Sequence, residues 1–193
     1  MQAEELKYLF ESVGAIRHGH FELSSGLHSP TYVQCAMVLQ YPQHAERLGR
    51  ELVALLGEVD ADTVIAPALG GLIIGHEVAR ELRRRFVFVE RDASGQTALR
   101  RGFVLHADER VLLVDDVWTT GGSTRETMQI VRQAAAQVVA AAALIDRAGF
   151  GAELRREIPC VALLEMPMDS YPAARCPQCA AGSRAQKPGS RPR

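Results

Sequence analysis

Four short apolar runs, Thr63–Ala66, Phe86–Val89, Val111–Val114 and Val138–Ile145, constrain the fold more than any other feature of the chain. Runs that are apolar at nearly every position and rich in β-branched residues suit strands covered on both faces. Helical spacing separates them. Ala45, Leu48, Leu52, Leu55 and Leu56 form one stripe behind Pro42, which predicts a helix over 42–56, and a second is predicted over Leu72–Leu82. Strands alternating with helices imply βαβ units, and so an α/β fold: a parallel-sheet core with helices on both faces. With 193 residues, 47% of them hydrophobic, the chain has material for one core and one domain, expected over 1–181.

Ahead of that core, Leu6, Leu9, Phe10 and Val13 mark an amphipathic helix stopped at Gly14. Residues His18 to Tyr32 then alternate around a Ser24-Ser25-Gly26 turn, with a strand expected near Thr31–Gln34. Residues 1–40 therefore read as a small N-terminal hood and 41–181 as the core. From Gly182 onward Ser, Arg, Pro, Gly and Gln dominate, so 182–193 is expected to be a disordered tail. Residues Arg101–His106 are expected to form an extended arm before the strand at Val111.

The richest chemistry follows that strand, in Asp115-Asp116-Val117-Trp118-Thr119-Thr120-Gly121-Gly122-Ser123-Thr124. In open α/β sheets ligands settle beyond the carboxyl ends of the strands, which is where this segment is expected. Ser123 and Glu126 match a capping box, and Met128, Ile130 and Val131 continue as a helix. A glycine pair, four hydroxyls and a helix N-terminus together make a phosphate cradle. Carboxylates beside such a cradle need hydroxyls, a cation or developing positive charge, and the sugar hydroxyls of a ribose phosphate meet that need. A bare Asp-Asp after a strand is more often a solvated turn; the whole run reverses that preference. Walker and dinucleotide glycine patterns are absent. Gly70 and Gly71, after Thr63–Ala66, are equally consistent with a second phosphate turn or a plain βα connection.

Composition excludes other classes. A net charge of −1 gives no general attraction to nucleic acid, and the C-terminal arginines lack interleaved aromatics. No apolar stretch reaches membrane-span length and the N-terminus is acidic, so neither a membrane nor a secretory signal is expected, and the location is expected to be cytoplasmic. Lys7 and Lys187 are the two lysines; the remaining basic charge is arginine. Cys35 and Cys160 read as core. Cys176-Pro177-Gln178-Cys179 is a lone CxxC, half a zinc site, and the six histidines show no HExxH or similar spacing, so no protein-held metal is expected.

The Val111–Thr124 run resembles the phosphoribosyl-diphosphate (PRPP) signature of type I phosphoribosyltransferases, with Trp118 in place of a smaller aliphatic and expected to reshape the wall beside the base. Gly19-His20-Phe21-Glu22-Leu23-Ser24-Ser25-Gly26-Leu27-His28-Ser29-Pro30-Thr31-Tyr32 and the strand end Leu144-Ile145-Asp146-Arg147 are similar to orotate phosphoribosyltransferases in particular. That resemblance implies transfer of phosphoribosyl from PRPP to N1 of orotate, giving orotidine monophosphate and pyrophosphate in pyrimidine synthesis. Asp115, Asp116 and Arg91 are implied as catalytic. PRPP would be held by Arg91, Asp115, Asp116, Val117, Trp118, Thr119, Thr120, Gly121, Gly122, Ser123, Gly70, Gly71, Arg100 and Arg101. Orotate would meet Thr119, Arg147, Ser25, His28, Tyr32 and Val33. Mg²⁺ would arrive with PRPP, and a homodimer with shared sites is implied. Lysines of the family pattern are missing: His28 and Gly70 stand in two such places, which implies a variant relying on arginine. A purine or uracil phosphoribosyltransferase, or a PRPP-sensing regulator that binds nucleic acid without catalysis, are the alternatives.

Overall fold

The structure is a computed structural model that describes residues 2–23 and 25–188. Its elements are α1 (Ala3–Ser12), β1 (Ile16–Glu22), β2 (His28–Val33), α2 (Ala36–Leu39), α3 (Pro42–Leu56), β3 (Thr63–Pro67), α4 (Gly71–Leu82), β4 (Arg85–Arg91), β5 (Thr97–Leu99), β6 (Arg110–Trp118), α5 (Gly122–Gln133), β7 (Gln137–Asp146), α6 (Phe150–Leu154) and β8 (Cys160–Glu165). A 3-10 turn (Ala173–Arg175) and α7 (Pro177–Ala180) close the chain.

Six strands make one sheet in the order β5-β4-β3-β6-β7-β8, parallel throughout except that β5 runs antiparallel to β4. Central strand β6 pairs Leu113 with Ile65 of β3 on one side and with Ala141 of β7 on the other. Both faces are covered, as the apolar runs require. On one, Leu112, Val114 and Val64 pack with Leu6 and Phe10 of α1, Leu48 and Leu52 of α3 and Ile74 and Val78 of α4. On the other, Leu113, Ile65 and Val87 pack with Met128 and Val131 of α5 and Phe150 and Leu154 of α6. Each such large side chain, fully buried, contributes about 1.5–3 kcal/mol. A separate antiparallel hairpin, β1-β2, pairs Arg17 with Tyr32 and Glu22 with His28 and forms the hood.

Several expectations change. Strand β6 runs on through the acidic pair to Trp118, because Asp115 to Trp118 remain paired with Ala143 to Asp146 of β7. The expected arm is not a strand: the three-residue β5 precedes it, residues 101–102 turn, and 103–106 carry no regular structure. Arg101 and Gly102 both have positive φ, 59° and 77°, which ends any extension there. The tail is ordered where it is described: Gln186 forms a parallel bridge with Phe21, exchanging Glu22 N–H to Gln186 O (2.7 Å) and Gln186 N–H to His20 O (2.8 Å). Polar composition gave no hint of this, since the bonds are to another element's backbone. The expected tail residues 189–193, and Ser24 of the hairpin turn, lie outside the described residues. No helix among the described residues is long and apolar enough to cross a membrane.

Candidate functional site

The carboxyl ends of β3, β4, β6 and β7 meet along one edge of the sheet, and most of the expected site residues stand on it. Asp115 is buried, 3% exposed, among mostly apolar neighbours. Its Oδ2 accepts the Ser123 hydroxyl at 2.7 Å and the Thr124 hydroxyl at 3.4 Å, while Oδ1 accepts the Asp116 N–H at 2.9 Å. Burial, with the neighbouring Asp116 second, pushes its carboxyl up to about 8. Asp116 is half-buried and its pKa is also raised by desolvation. Two carboxyls held this way favour a partner that donates hydroxyls or brings a cation.

Gly70 faces this pair. A Cβ built on it would lie 2.5 Å from Asp116 Oδ1, so the 68–70 turn closes directly onto the acid, and the side chain expected from the family pattern at position 70 has no room. Gly71 is less tight but still close, a Cβ there lying 3.1 Å from the Val114 carbonyl oxygen. The two glycines thus bring the β3–α4 turn against β6.

Beyond Trp118, Thr119 and Thr120 are exposed, and Gly121 takes φ +75° with the Phe150 ring against its α-carbon. No side chain caps α5: Ser123 donates to Asp115 and Glu126 accepts from Arg91 and Thr97, so the expected capping box does not form. The first-turn N–H groups of α5 remain available to a phosphate.

Trp118 does not form a wall beside the base. Its indole is fully buried against Phe150, ring centroids 6.0 Å apart, on the α5–α6 side of the sheet, and its Nε1–H has no partner. Val114 and Val117 both pack toward the opposite core, so side-chain alternation slips across the acidic pair and carries Trp118 to the face of Leu113. The Trp118 carbonyl still serves the site, accepting the Arg147 N–H at 3.0 Å.

Arg147, at the end of β7, has a half-buried guanidinium that makes no hydrogen bond or ion pair among the described residues; desolvation lowers its pKa. The two acids nearest in sequence, Asp146 and Glu153, are engaged elsewhere. Asp146 accepts the N–H groups of Ala148, Gly149, Phe150 and Gly151, and Glu153 pairs with Arg125.

The other expected site arginines, Arg91, Arg100 and Arg101, are exposed and paired. Arg91 bonds both oxygens of Glu126 (3.0 and 3.2 Å) and the Gly95 carbonyl (2.6 Å), while Arg101 meets Glu90 at 2.9 Å and Arg100 at 3.8 Å. A cavity of about 90 Å³ lies between these groups and α5, lined by Pro67, Ala68, Val89, Glu90, Arg91, Thr97, Ser123 and Glu126. Glu90 carries no motif and Glu126 only the capping-box match that does not form; the pairing of β4, β5 and α5 gives both their place here.

The hood is tied to this edge by residues 166–171. The Met168 N–H donates to the Arg147 carbonyl (2.8 Å), the Ser29 hydroxyl to the Asp169 carbonyl (2.8 Å), and Tyr171 exchanges two backbone bonds of 2.8 Å with His28. Ser25 is exposed at the hairpin turn, Tyr32 is half-buried against Phe21 (5.7 Å), and Val33 packs on the core. His28 departs from expectation. Its side chain is buried and turned to His20 and Cys179 rather than toward a base, because the hairpin and the C-terminal segment close over it.

Comparison with known proteins adds three similarities. A family model described as "Phosphoribosyl transferase domain" matches residues 37–160. The orotate phosphoribosyltransferase of Acidithiobacillus ferrooxidans is 48% identical over 99% of this chain and 98% of its own length, and that of Thermotoga maritima 42% over 96% and 98%. Among solved structures, the orotate phosphoribosyltransferase of Aeropyrum pernix superposes with a TM-score of 0.68 at 28% identity, over 82% of this chain and 92% of that one.

Proposed function

The chain belongs to the phosphoribosyltransferase family, and from that premise we propose that it is an orotate phosphoribosyltransferase, transferring phosphoribosyl from PRPP to N1 of orotate. The observation that carries the choice of base is Arg147. A half-buried guanidinium without an acidic partner, on the strand beside the Asp115–Asp116 pair, suits a planar carboxylate that it can grip with two N–H groups. Orotate carries such a carboxylate on its ring. Neutral purines and uracil do not.

The rest of the edge supports the transfer. The 5-phosphate occupies the Thr119–Ser123 turn, where backbone N–H groups and hydroxyls converge at the start of α5. Asp115 and Asp116 accept the ribose hydroxyls, which relieves the crowding of two adjacent buried acids. As the bond from C1 to pyrophosphate lengthens, positive charge grows on the sugar and negative charge on the leaving group. The acids stabilise the first. Arg91, Arg100 and Arg101 stabilise the second, and they are recruited at small cost, because exposed ion pairs like theirs with Glu126 and Glu90 contribute only about 0–1 kcal/mol. The N–H groups of residues 69–71 complete the pyrophosphate site beside Asp116, that of Ala68 being donated to the Val89 carbonyl.

The half-buried carboxylate of Asp116 is the group of this chain that would face a Mg²⁺ carried in with PRPP, which when bound would offset charge on the phosphate oxygens. The working form is a homodimer in which the loop carrying Arg100 and Arg101 serves the neighbouring site. PRPP is a polyanion and orotate an anion, and neither crosses a bilayer unaided, which supports a cytoplasmic reaction. Incubation with PRPP, Mg²⁺ and a panel of orotate, uracil, adenine and guanine tests the reading: orotidine monophosphate is the expected product, and turnover of another base without orotate overturns it.

A further inference from the structure

The sequence shows one CxxC and no second ligand pair, yet the fold supplies the second pair from the opposite end of the chain. His20 on β1 and His28 on β2 lie across the hairpin, and Cys176 and Cys179 at the start of α7 close over them. His20 Nε2 is 3.0 Å from His28 Nδ1, 3.4 Å from Cys176 Sγ and 3.7 Å from Cys179 Sγ, and Cys179 Sγ is 3.3 Å from His28 Nδ1. All four ligand atoms fall within 4.8 Å of one another. One imidazole nitrogen holds at most one proton and cannot satisfy three such neighbours by hydrogen bonding. A cation at the centre satisfies all four.

We infer that His20, His28, Cys176 and Cys179 form a tetrahedral zinc site that fastens the C-terminal segment to the N-terminal hairpin. With Zn–S near 2.3 Å and Zn–N near 2.05 Å, tetrahedral edges are about 3.8 Å between sulfurs, about 3.6 Å from sulfur to nitrogen and about 3.3 Å between nitrogens. The nitrogen–nitrogen separation and the three sulfur–nitrogen separations above match these to within a few tenths of an ångström. Two thiolates and two imidazoles in that geometry select zinc over harder cations. An orienting partner is also present: Ser183 Oγ lies 3.1 Å from His20 Nδ1 and can accept its N–H in the tautomer that leaves Nε2 free to ligate. His20, His28 and Cys176 are buried and Cys179 is half-buried, so the site is closed, as structural zinc sites are. On binding, the two thiol protons leave to solvent.

The site has a structural reason to exist. Beyond Leu164, Cys176 is the one buried apolar residue among the described residues, so the C-terminal segment brings almost no core of its own. A two-stranded hairpin is marginal by itself as well. A metal joining two coreless pieces supplies what burial cannot. Because Tyr171 pairs with His28 and Met168 with Arg147, the same staple holds the hood on the edge of the sheet that carries Arg147.

The test uses the full-length, untagged chain, purified under reducing conditions without chelator. Elemental analysis is expected to find one zinc per chain, retained in Cys160→Ala and lost by more than tenfold in Cys176→Ser/Cys179→Ser. Since that double variant can fail to fold, wild type stripped by chelator and reloaded with cobalt provides the second arm. Reloading is expected to restore tetrahedral cobalt ligand-field bands with a sulfur-to-metal charge-transfer band, and to restore resistance to trypsin at Arg175 and Arg184. Reduced wild type that takes up neither zinc nor cobalt, a double variant that keeps its zinc, iron in place of zinc, or an intact mass showing Cys176 and Cys179 oxidised to a disulfide in the reduced preparation would each overturn the inference.

Discussion

Replacing Arg147 with methionine separates binding from folding. In the free protein its guanidinium is half-buried and unpaired, and desolvation alone lowers its pKa, so it adds nothing to stability through a partner. Removing it therefore breaks no ion pair, while methionine keeps most of the apolar stem. Thermal unfolding is expected to be unchanged or slightly higher. In the proposed complex with orotate the same group makes two charge-assisted hydrogen bonds, each worth about 1.5–3 kcal/mol. Partial exposure places the sum near the lower end, about 3 kcal/mol, which is roughly a hundredfold in kcat/KM for orotate. The KM for PRPP is expected to move less than twofold, because the phosphate turn and acidic pair lie on β6 and α5. Arg147→Lys should recover only part of the loss, since a point charge does not reproduce the planar fork. Orotidine monophosphate formation under varied orotate and then varied PRPP measures each term. An Arg147→Met enzyme with normal orotate kinetics, or one that melts far below wild type, would refute the argument.

Three further outcomes follow from the same edge. Asp115 has a folded pKa of about 8 against an ordinary 3.8, so the stability it contributes is full below about pH 4 and is lost as pH rises toward 8. Asp115→Asn should remove that loss, and urea unfolding at pH 6 and pH 8 should show a decline smaller than wild type by up to about 3 kcal/mol; equal declines would contradict the assignment. Gly70→Ala puts a methyl 2.5 Å from Asp116 Oδ1 and must displace the acid, so its kcat/KM should approach that of Asp116→Asn, well over tenfold below wild type; normal turnover would show that Asp116 need not sit where it does. Gly121→Ala combines φ +75° with a Cβ 2.2 Å from the Phe150 ring, and should cost about 1–3 kcal/mol in chemical denaturation as well as activity.

The parallel core was legible because buried strands are apolar on both faces and the intervening helices repeat at 3.6 residues; α3 begins and ends where Pro42 and Leu56 predicted. Strand β8 was passed over, although Cys160–Glu165 is largely apolar, because Pro159 and Pro167 leave it short and no helical pattern of ordinary length precedes it. The phosphate turn was legible as a motif, yet the role of Ser123 was not: capping and bonding Asp115 use the same hydroxyl, and only the path of β6 chooses between them.

What the amino-acid sequence determined by itself was the class of fold, the Asp115–Ser123 run at the edge of the sheet and the arginine-rich character of the site, since each depends on neighbours along the chain. Tertiary structure alone decided which face Trp118 enters, that Arg147 is left without an acid, and that His28 turns away from the base to join His20, Cys176 and Cys179. Those outcomes depend on groups up to 159 residues apart. Local periodicity cannot report such separations, because it records which side of an element is apolar and not what arrives to meet it.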